Sequence, residues 1–414
     1  MERLARRLGL ADAVVIGLGS MLGAGVFVVF APAAAVAGGV GLLLAVALAG
    51  FVAFCNATSS ARLAARYPES GGTYVYGRER LGRYAGFLAG WGFVVGKTAS
   101  CAAMALTIGA YLWPGQARLV AVAAVVAVTG VNLRGIGKTA TATKILVGLV
   151  LAVLALVALT GAGAVSPDRI GGLDGHARGV LTAAGLLFFA FAGYARIATL
   201  GEEVRDPERT IPRAVPLALG IVLAIYLALA VVTAGVLGDE LATSAAPLVD
   251  VVIAAGLPDL AWVVRAGATV AVTGVLLSLV AGVGRTTLAM ARRRDLPATL
   301  AAVHPRHRVP HRAELAVAAV VILVVLLVDV RGAIGFSSCT VLVYYAITNA
   351  SALTLAPEPG RKLPVRALAV AGLAGCLLLA VNLPLPSVLA GFGVLALGTL
   401  WYILRHHLAT PRSG

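Results

Sequence analysis

Charged residues are scarce in this sequence. Asp, Glu, Lys and Arg make up 12% of the 414 residues, against about a quarter in a soluble domain, which excludes a water-soluble globule of this size. A hydrophobic content of 60% also excludes a disordered chain. Aromatic residues make up 6%, and the apolar residues form long Ala/Leu/Val runs without two-residue alternation. This pattern indicates an all-α membrane protein and argues against an outer-membrane barrel.

Groups that do covalent or metal chemistry are also few. The four cysteines lie inside apolar runs and have no disulfide or zinc spacing. Three of the six histidines fall in the segment 304–315, where two prolines break helical register, so we interpret it as a solvated basic loop without a metal site. A Gly-x-Ser-x-Gly motif and paired intramembrane aspartates are missing, and so is a repeated channel filter. We therefore expect neither an enzyme nor a channel, with no metal and no cofactor.

The distribution of the basic residues along the chain indicates the membrane topology. The net charge is +15, but the basic side chains are separated by apolar runs and form no continuous face for nucleic acid. Lys and Arg favour alternate loops by roughly five to one, which places both termini in the cytoplasm of a plasma-membrane protein. The first apolar run is too long for a signal peptide and is interpreted as an uncleaved helix. Twelve runs can span the bilayer, near 12–36, 40–65, 84–112, 118–133, 143–164, 179–200, 214–237, 262–290, 314–330, 333–355, 364–381 and 386–404.

Two of these runs contain features that interrupt a helix. The first includes GLGSMLGAGVF at 17–27, with four glycines in nine residues. Two interpretations explain this density of glycines: close helix packing through small residues or a local unwinding of the helix. An unwound segment would expose backbone amides near Gly23–Gly25, which suit the binding of an anion. The sixth run contains FFAFAGYAR at 188–196. Interrupted helices at corresponding positions of two inverted halves indicate a transporter site.

These motifs resemble those of the amino acid–polyamine–organocation transporters. The first run is similar to the family pattern G-x-G-x-x-x-G-x-G-[IV]-F, and the loop PESGGTYVY at 68–76 is also similar. The sixth run and its tail, 188–214, resemble the cationic amino acid transporter branch, whereas the length and span number resemble bacterial neutral amino acid exporters. The resemblance covers nearly the whole chain.

The resemblance implies the inverted five-plus-five repeat fold of sodium-coupled leucine transporters, with helices 1 and 6 broken. In such a fold the first repeat would comprise residues 1–165, the second repeat residues 166–356, and helices 11 and 12 with the C-terminal tail residues 357–414. The substrate carboxylate would meet the amides of Gly23, Ala24 and Gly25, and its amino group the carbonyls of Met21, Phe189 and Ala192. Phe189 would also cap the site from outside. Such a site holds a zwitterion without a buried ionised side chain, which is costly in a membrane.

Some positions depart from the family pattern. The acidic residue that often follows the helix-6 glycine is replaced by Ala195, and the helix-5 lysine position is Val150; Lys144 is interpreted as a cytoplasmic-end charge. Lys97 lies about 20 Å into the third run. It either snorkels to the interface or, because desolvation favours the neutral amine, serves as a proton-carrying coupling residue.

The remaining candidates leave alternatives open. Tyr344 and Tyr345 are either gates of the outer vestibule or packed aromatics, and Ser278 is a candidate site-facing hydroxyl. Arg196 either binds a substrate anion or pairs structurally. With no acid at the expected pocket, we predict a secondary active transporter of neutral amino acids that is proton-coupled or exchanging. The alternatives are a cationic amino acid or polyamine transporter, an exporter, or a non-transporting membrane sensor. The partners are an amino acid, lipid and possible protons, and the sequence does not fix the oligomeric state.

Overall fold

A computed structural model describes residues 8–67, 71–135, 140–171, 177–198, 204–356 and 365–409. Within these ranges the chain is almost wholly helical, and strand-like pairing is limited to one bridge between Leu8 and Val204. The prediction of an all-α protein is therefore confirmed. Residues 68–70 of the first-loop motif, the helix-6 tail at 199–203 and both chain termini lie outside the described residues.

The helices of the first part follow the apolar runs. They are α1 (Leu10–Met21), α2 (Ala24–Val28), α3 (Phe30–Arg66), α4 (Thr73–Leu81), α5 (Arg83–Leu112), α6 (Ala117–Leu133) and α7 (Ala140–Ala162). A run of this composition becomes helical because the helix satisfies every backbone N–H and C=O within its own segment, as hydrocarbon requires.

The second part of the chain has more short helices between its long ones. It contains α8 (Pro167–Ile170), α9 (Ala177–Phe191), α10 (Ala195–Ala198), α11 (Pro207–Leu237), α12 (Pro247–Ala254), α13 (Ala261–Arg292), α14 (His311–Leu327), α15 (Val330–Leu353), α16 (Val365–Asn382) and α17 (Leu385–Ala409). Asp329 caps α15, because its side chain accepts a hydrogen bond from the amide of Gly332 at 2.8 Å.

In the described part of the chain, eleven helical stretches are long and apolar enough to cross a membrane. This confirms a multi-pass membrane protein. The run predicted near 314–330 forms α14, a helix of 17 residues, which is slightly shorter than the others. Large apolar side chains are exposed on the outer helices, for example Leu159 and Leu385, as expected for surfaces that face lipid tails.

The long helix α3 bends at Gly38. This residue has φ 67° and ψ −176°, a conformation that side chains with a Cβ rarely adopt. The next residue, Gly39, lies so close to α8 that an added Cβ would fall 1.9 Å from the carbonyl oxygen of Ile170. The two glycines therefore separate the end of the first predicted run from the start of the second.

The core is built on α3 and α5. Helix α3 packs along α9 and α11, whereas α5 packs along α13 and α15. Small residues allow this close packing: an added Cβ on Gly96 of α5 would lie 2.2 Å from the Thr340 hydroxyl of α15. The short helix α2 lies between these groups and contacts α5, α9 and α13.

Candidate functional site

The first run is interrupted in its middle. Helix α1 stops at Met21, and α2 starts at Ala24. Between them, Leu22 has φ −79° and ψ 49°, and Gly23 has φ −102° and ψ −145°, neither of which is helical. Gly25 lies close to α9, since an added Cβ would be 2.5 Å from the Cα of Ala190. The helical backbone conformation is consequently broken at Leu22 and Gly23.

The sixth run also loses its α-helical form, at the same place in the bundle. Helix α9 ends at Phe191, residues Ala192–Tyr194 form one 3-10 turn, and α10 begins at Ala195. An added Cβ on Gly193 would lie 2.2 Å from the carbonyl oxygen of Ser20. The backbones of the two interrupted regions therefore touch each other, and a glycine makes this approach possible.

Two tyrosine hydroxyls reach carbonyls at these interruptions. The Tyr226 hydroxyl of α11 lies 2.7 Å from the Met21 carbonyl oxygen and 3.1 Å from that of Ala190, and its one hydrogen is donated to one of them at a time. The Tyr345 hydroxyl of α15 donates to the Ala192 carbonyl at 3.2 Å. The sequence analysis did not identify Tyr226. The feature that could have pointed to it is that Tyr226 is a lone aromatic residue in an otherwise aliphatic helix.

Most of the predicted substrate-binding residues lie together. The residues of α2 and α9 contact one another, and Gly23 abuts α13, where an added Cβ would be 3.1 Å from Val275. Ser278 is not brought to this group. It lies on an exposed side of α13, and its hydroxyl donates to the Gly274 carbonyl of its own helix at 3.3 Å. The buried members are Met21, Gly23, Ala24, Gly25, Phe189 and Ala192.

The two adjacent tyrosines of α15 have different environments. Tyr345 lies level with the interruption of the sixth run, with its ring 5.0 Å from that of Tyr194. Tyr344 lies beside α4, where its hydroxyl accepts a hydrogen bond from the amide of Thr73 at 3.2 Å. Tyr344 therefore links α15 to α4.

Lys97 lies about halfway along α5 and is partly buried. Its ammonium group makes no hydrogen bond or ion pair with the residues that the structure describes, and the buried thiol of Cys101 lies one turn further along the same helix. Lys144 differs: its ammonium group lies 2.7 Å from Asp12 Oδ1 and is largely exposed. Lys144 thus links the start of α7 to the start of α1.

Asp295, just after α13, anchors α4. The Tyr74 hydroxyl donates to Asp295 Oδ2 at 2.6 Å, and Arg78 lies 3.5 Å from the same oxygen. The guanidinium of Arg293 lies 5.4 Å from the Tyr74 ring centre. Burial, followed by the hydrogen bond to Asp295, raises the pKa of Tyr74 well above its ordinary value. The phenol therefore stays protonated and continues to donate its hydrogen bond.

The described residues thus form a multi-pass helical bundle in which the break in the first run touches the 3-10 turn of the sixth run. The family model described as amino acid permease matches residues 12–358. The chain therefore belongs to the amino acid permease family, and it is an amino acid transporter rather than an enzyme.

Several relatives bear transporter names. An uncharacterized transporter of Mycobacterium bovis is 63% identical over 408 residues, which cover 98% of this chain and 92% of the relative. The branched-chain amino acid permease BcaP of Bacillus subtilis is 26% identical over 75% of this chain and 72% of its own length. The vacuolar cationic amino acid transporter 2 of Arabidopsis thaliana is 26% identical over 88% of this chain and 62% of its own length.

Proposed function

We propose that the protein is a secondary active transporter of neutral amino acids in the plasma membrane, working by alternating access with both termini in the cytoplasm. In this proposal α14 is the ninth span in chain order and brings the total to twelve, and 1–165 and 166–356 are inverted repeats followed by 357–414. The observation that carries it is the contact between the two interrupted helices, where Gly193 meets the backbone of Ser20.

The binding site in this proposal uses backbone groups alone. The amides of Gly23, Ala24 and Gly25 bind the carboxylate at the start of α2, where the helix dipole favours an anion. The carbonyls of Met21, Phe189 and Ala192 accept hydrogen bonds from the ammonium group. Both ends of the zwitterion are then neutralised by dipoles, and no ionised side chain has to be buried beside them.

The tyrosine contacts are compatible with such a site. The carbonyls of Met21 and Ala192 already accept hydrogen bonds from Tyr226 and Tyr345. Each carbonyl oxygen has two lone pairs, so a substrate ammonium group can bind beside the hydroxyl or displace it. We infer that these hydroxyls stabilise the freed carbonyls when substrate has left, and that Phe189, Tyr344 and Tyr345 act as gates.

The location of the buried acids favours a neutral substrate. In the described ranges, the buried carboxylates are Asp295 and Glu314, which lie just after α13 and at the beginning of α14. The interrupted region has none, so a cationic side chain there would have no counter-charge and its burial would be costly. The second candidate is a cationic amino acid or polyamine transporter, which the Arabidopsis relative favours by its name.

Lys97 is the proposed coupling residue. An ammonium group within a span that has no ion-pair partner among the described residues is a default functional candidate. We expect Lys97→Met to abolish accumulation driven by a pH gradient while exchange of internal for external substrate continues. Lys144→Met, which removes an exposed lysine, is the matched control. Unchanged pH-driven accumulation in Lys97→Met would contradict this role.

The test of the function uses purified protein in liposomes. Uptake of radiolabelled leucine, alanine, phenylalanine, arginine and putrescine is measured with and without imposed pH and sodium gradients, and again with unlabelled substrate inside. We expect uptake of a neutral amino acid that a pH gradient or internal substrate stimulates. Uptake of arginine or putrescine alone would support the second candidate, and no uptake of any compound would refute transport of these classes.

A further inference from the structure

The proposed site leaves a buried acidic residue unused. Glu314 lies in the first turn of α14 and is 2% exposed. Its Oε2 atom is buried and has no hydrogen-bond partner in the described part of the chain. The Glu314 side chain packs directly against Gly284 of α13, since an added Cβ on Gly284 would fall 2.7 Å from Glu314 Cγ. A buried carboxylate without donors is unfavourable unless it binds a cation or a proton.

A histidine lies one turn before this acid. His311 and Glu314 are three residues apart on α14 and share one face of the helix. The Nδ1 atom of His311 is also buried and without a hydrogen-bond partner among the described residues. Two neighbouring titratable groups with unsatisfied buried atoms are unusual, because buried polar atoms are almost always paired.

Two further histidines extend this group toward the surface. The His304 ring centre lies 5.5 Å from that of His311 and 4.9 Å from that of His307. His304 Nδ1 accepts hydrogen bonds from the amides of Arg306 and His307 at 3.3 and 3.2 Å. The neutral His304 ring therefore carries its proton on Nε2. Both rings are partly exposed, so the group extends from solvent to His311, which lies one helical turn before the buried acid.

The geometry points to a proton relay that runs from His304 and His307 through His311 to Glu314. Chains of histidine and carboxylate side chains are a recognised means of moving protons in pumps and transporters. In each step an imidazolium gives up a proton and becomes neutral imidazole, and the Glu314 carboxylate gains that proton and becomes a neutral carboxyl. The relay rests on the proposed proton-coupled function, and it adds a proton-binding site separate from Lys97.

Arg285 supplies the opposing charge for the deprotonated acid. Of the charged groups near Glu314, Arg285 on α13 is the one that acts on it electrostatically. When Glu314 is protonated this attraction is lost, so the proton alters the contact between α13 and α14. The other basic residues on α14, its preceding loop and the helices packed against it are Arg83, Lys97, Arg118, Arg134, Arg265, Arg292, Arg293, Arg294, Arg306, Arg308 and Arg312, and the loop also contains the acid Asp295.

The first experiment detects the proton on the acid without requiring transport. Infrared difference spectra of the purified protein between about pH 5 and about pH 8 should contain the carbonyl band of a carboxyl group that titrates. We expect this band to be lost in Glu314→Gln and kept in Glu208→Gln, which changes an exposed glutamate of α11. A band that persists unchanged in Glu314→Gln would overturn the proposal.

The second experiment tests the route. In liposomes containing a pH-sensitive dye, with the panel amino acid that the wild type takes up fastest, we expect proton uptake to fall about tenfold or more in Glu314→Gln and in His311→Gln. Exchange of internal for external substrate should stay near the wild-type rate, which shows that both variants fold. Normal proton uptake in His311→Gln would refute the histidine route.

The two experiments separate this inference from the proposed function. If the wild type carries no panel amino acid but the infrared band depends on Glu314, the proposed function fails and the proton site stands. If the wild type shows proton-coupled uptake and the band is independent of Glu314, the relay fails and the transporter function stands.

Discussion

Gly193→Ala is the most direct test of the contact between the interrupted helices. The new Cβ would lie 2.2 Å from the Ser20 carbonyl oxygen, 2.5 Å from the carbonyl carbon and 2.8 Å from the Met21 amide nitrogen. These are backbone atoms, so no side-chain rotation relieves the overlap. The two interrupted segments must therefore separate by about 1 Å, which also moves the carbonyls proposed to bind the substrate ammonium group.

The size of the effect follows from this displacement. Overpacking of a close contact costs about 1–3 kcal/mol, and misplacing binding groups by about 1 Å reduces rates by up to about a hundredfold. We expect a lower melting temperature in detergent and a transport rate up to about a hundredfold below wild type. Thermal unfolding and substrate exchange in liposomes measure the two effects separately.

Gly220→Ala is the matched control. Gly220 lies in α11, and no atom lies within 4 Å of its added Cβ. Because alanine favours a helix over glycine by up to about 1 kcal/mol, this variant should be at least as stable as the wild type and should transport normally. If Gly193→Ala melts lower but exchanges substrate at the wild-type rate and affinity, the interrupted region is a packing feature and the proposed site is wrong.

Two further predictions concern tyrosines. Tyr226→Phe removes the hydroxyl near the Met21 carbonyl, and we expect the free energy of unfolding to fall by about 0.5–1.5 kcal/mol and the apparent KM to change. The control is Tyr84→Phe, at an exposed contact with Thr399. Equal effects in the two variants would contradict a role of Tyr226 at the site. Tyr74 has a raised pKa, so above about pH 10 the unfolded chain loses a phenol proton that the folded protein keeps, and stability is lost as pH rises. Tyr74→Phe should therefore lose less stability than the wild type between about pH 9 and pH 11, and parallel curves of melting temperature against pH would refute the assignment.

The sequence alone determined the helices of this protein. An apolar run in a membrane must be helical because lipid offers its backbone no hydrogen-bond partner, so the predicted runs and the described helices coincide closely. The glycines at 17–25 and at 193 indicated where the backbone leaves the α-helix. The ordered motifs also indicated the family, and the amino acid permease model that matches residues 12–358 confirms it.

The tertiary structure decided which side chains meet. In runs that are apolar on every side, the sequence does not reveal how each helix is rotated about its axis, since hydrophobic periodicity is lost. The exposure of Ser278 and the location of Tyr344 beside α4 therefore could not be predicted from the sequence. The contact of Tyr226 with Met21 joins residues 205 positions apart, and the burial of Glu314 depends on a glycine in another helix. Such contacts depend on how separate helices pack, which local sequence does not encode.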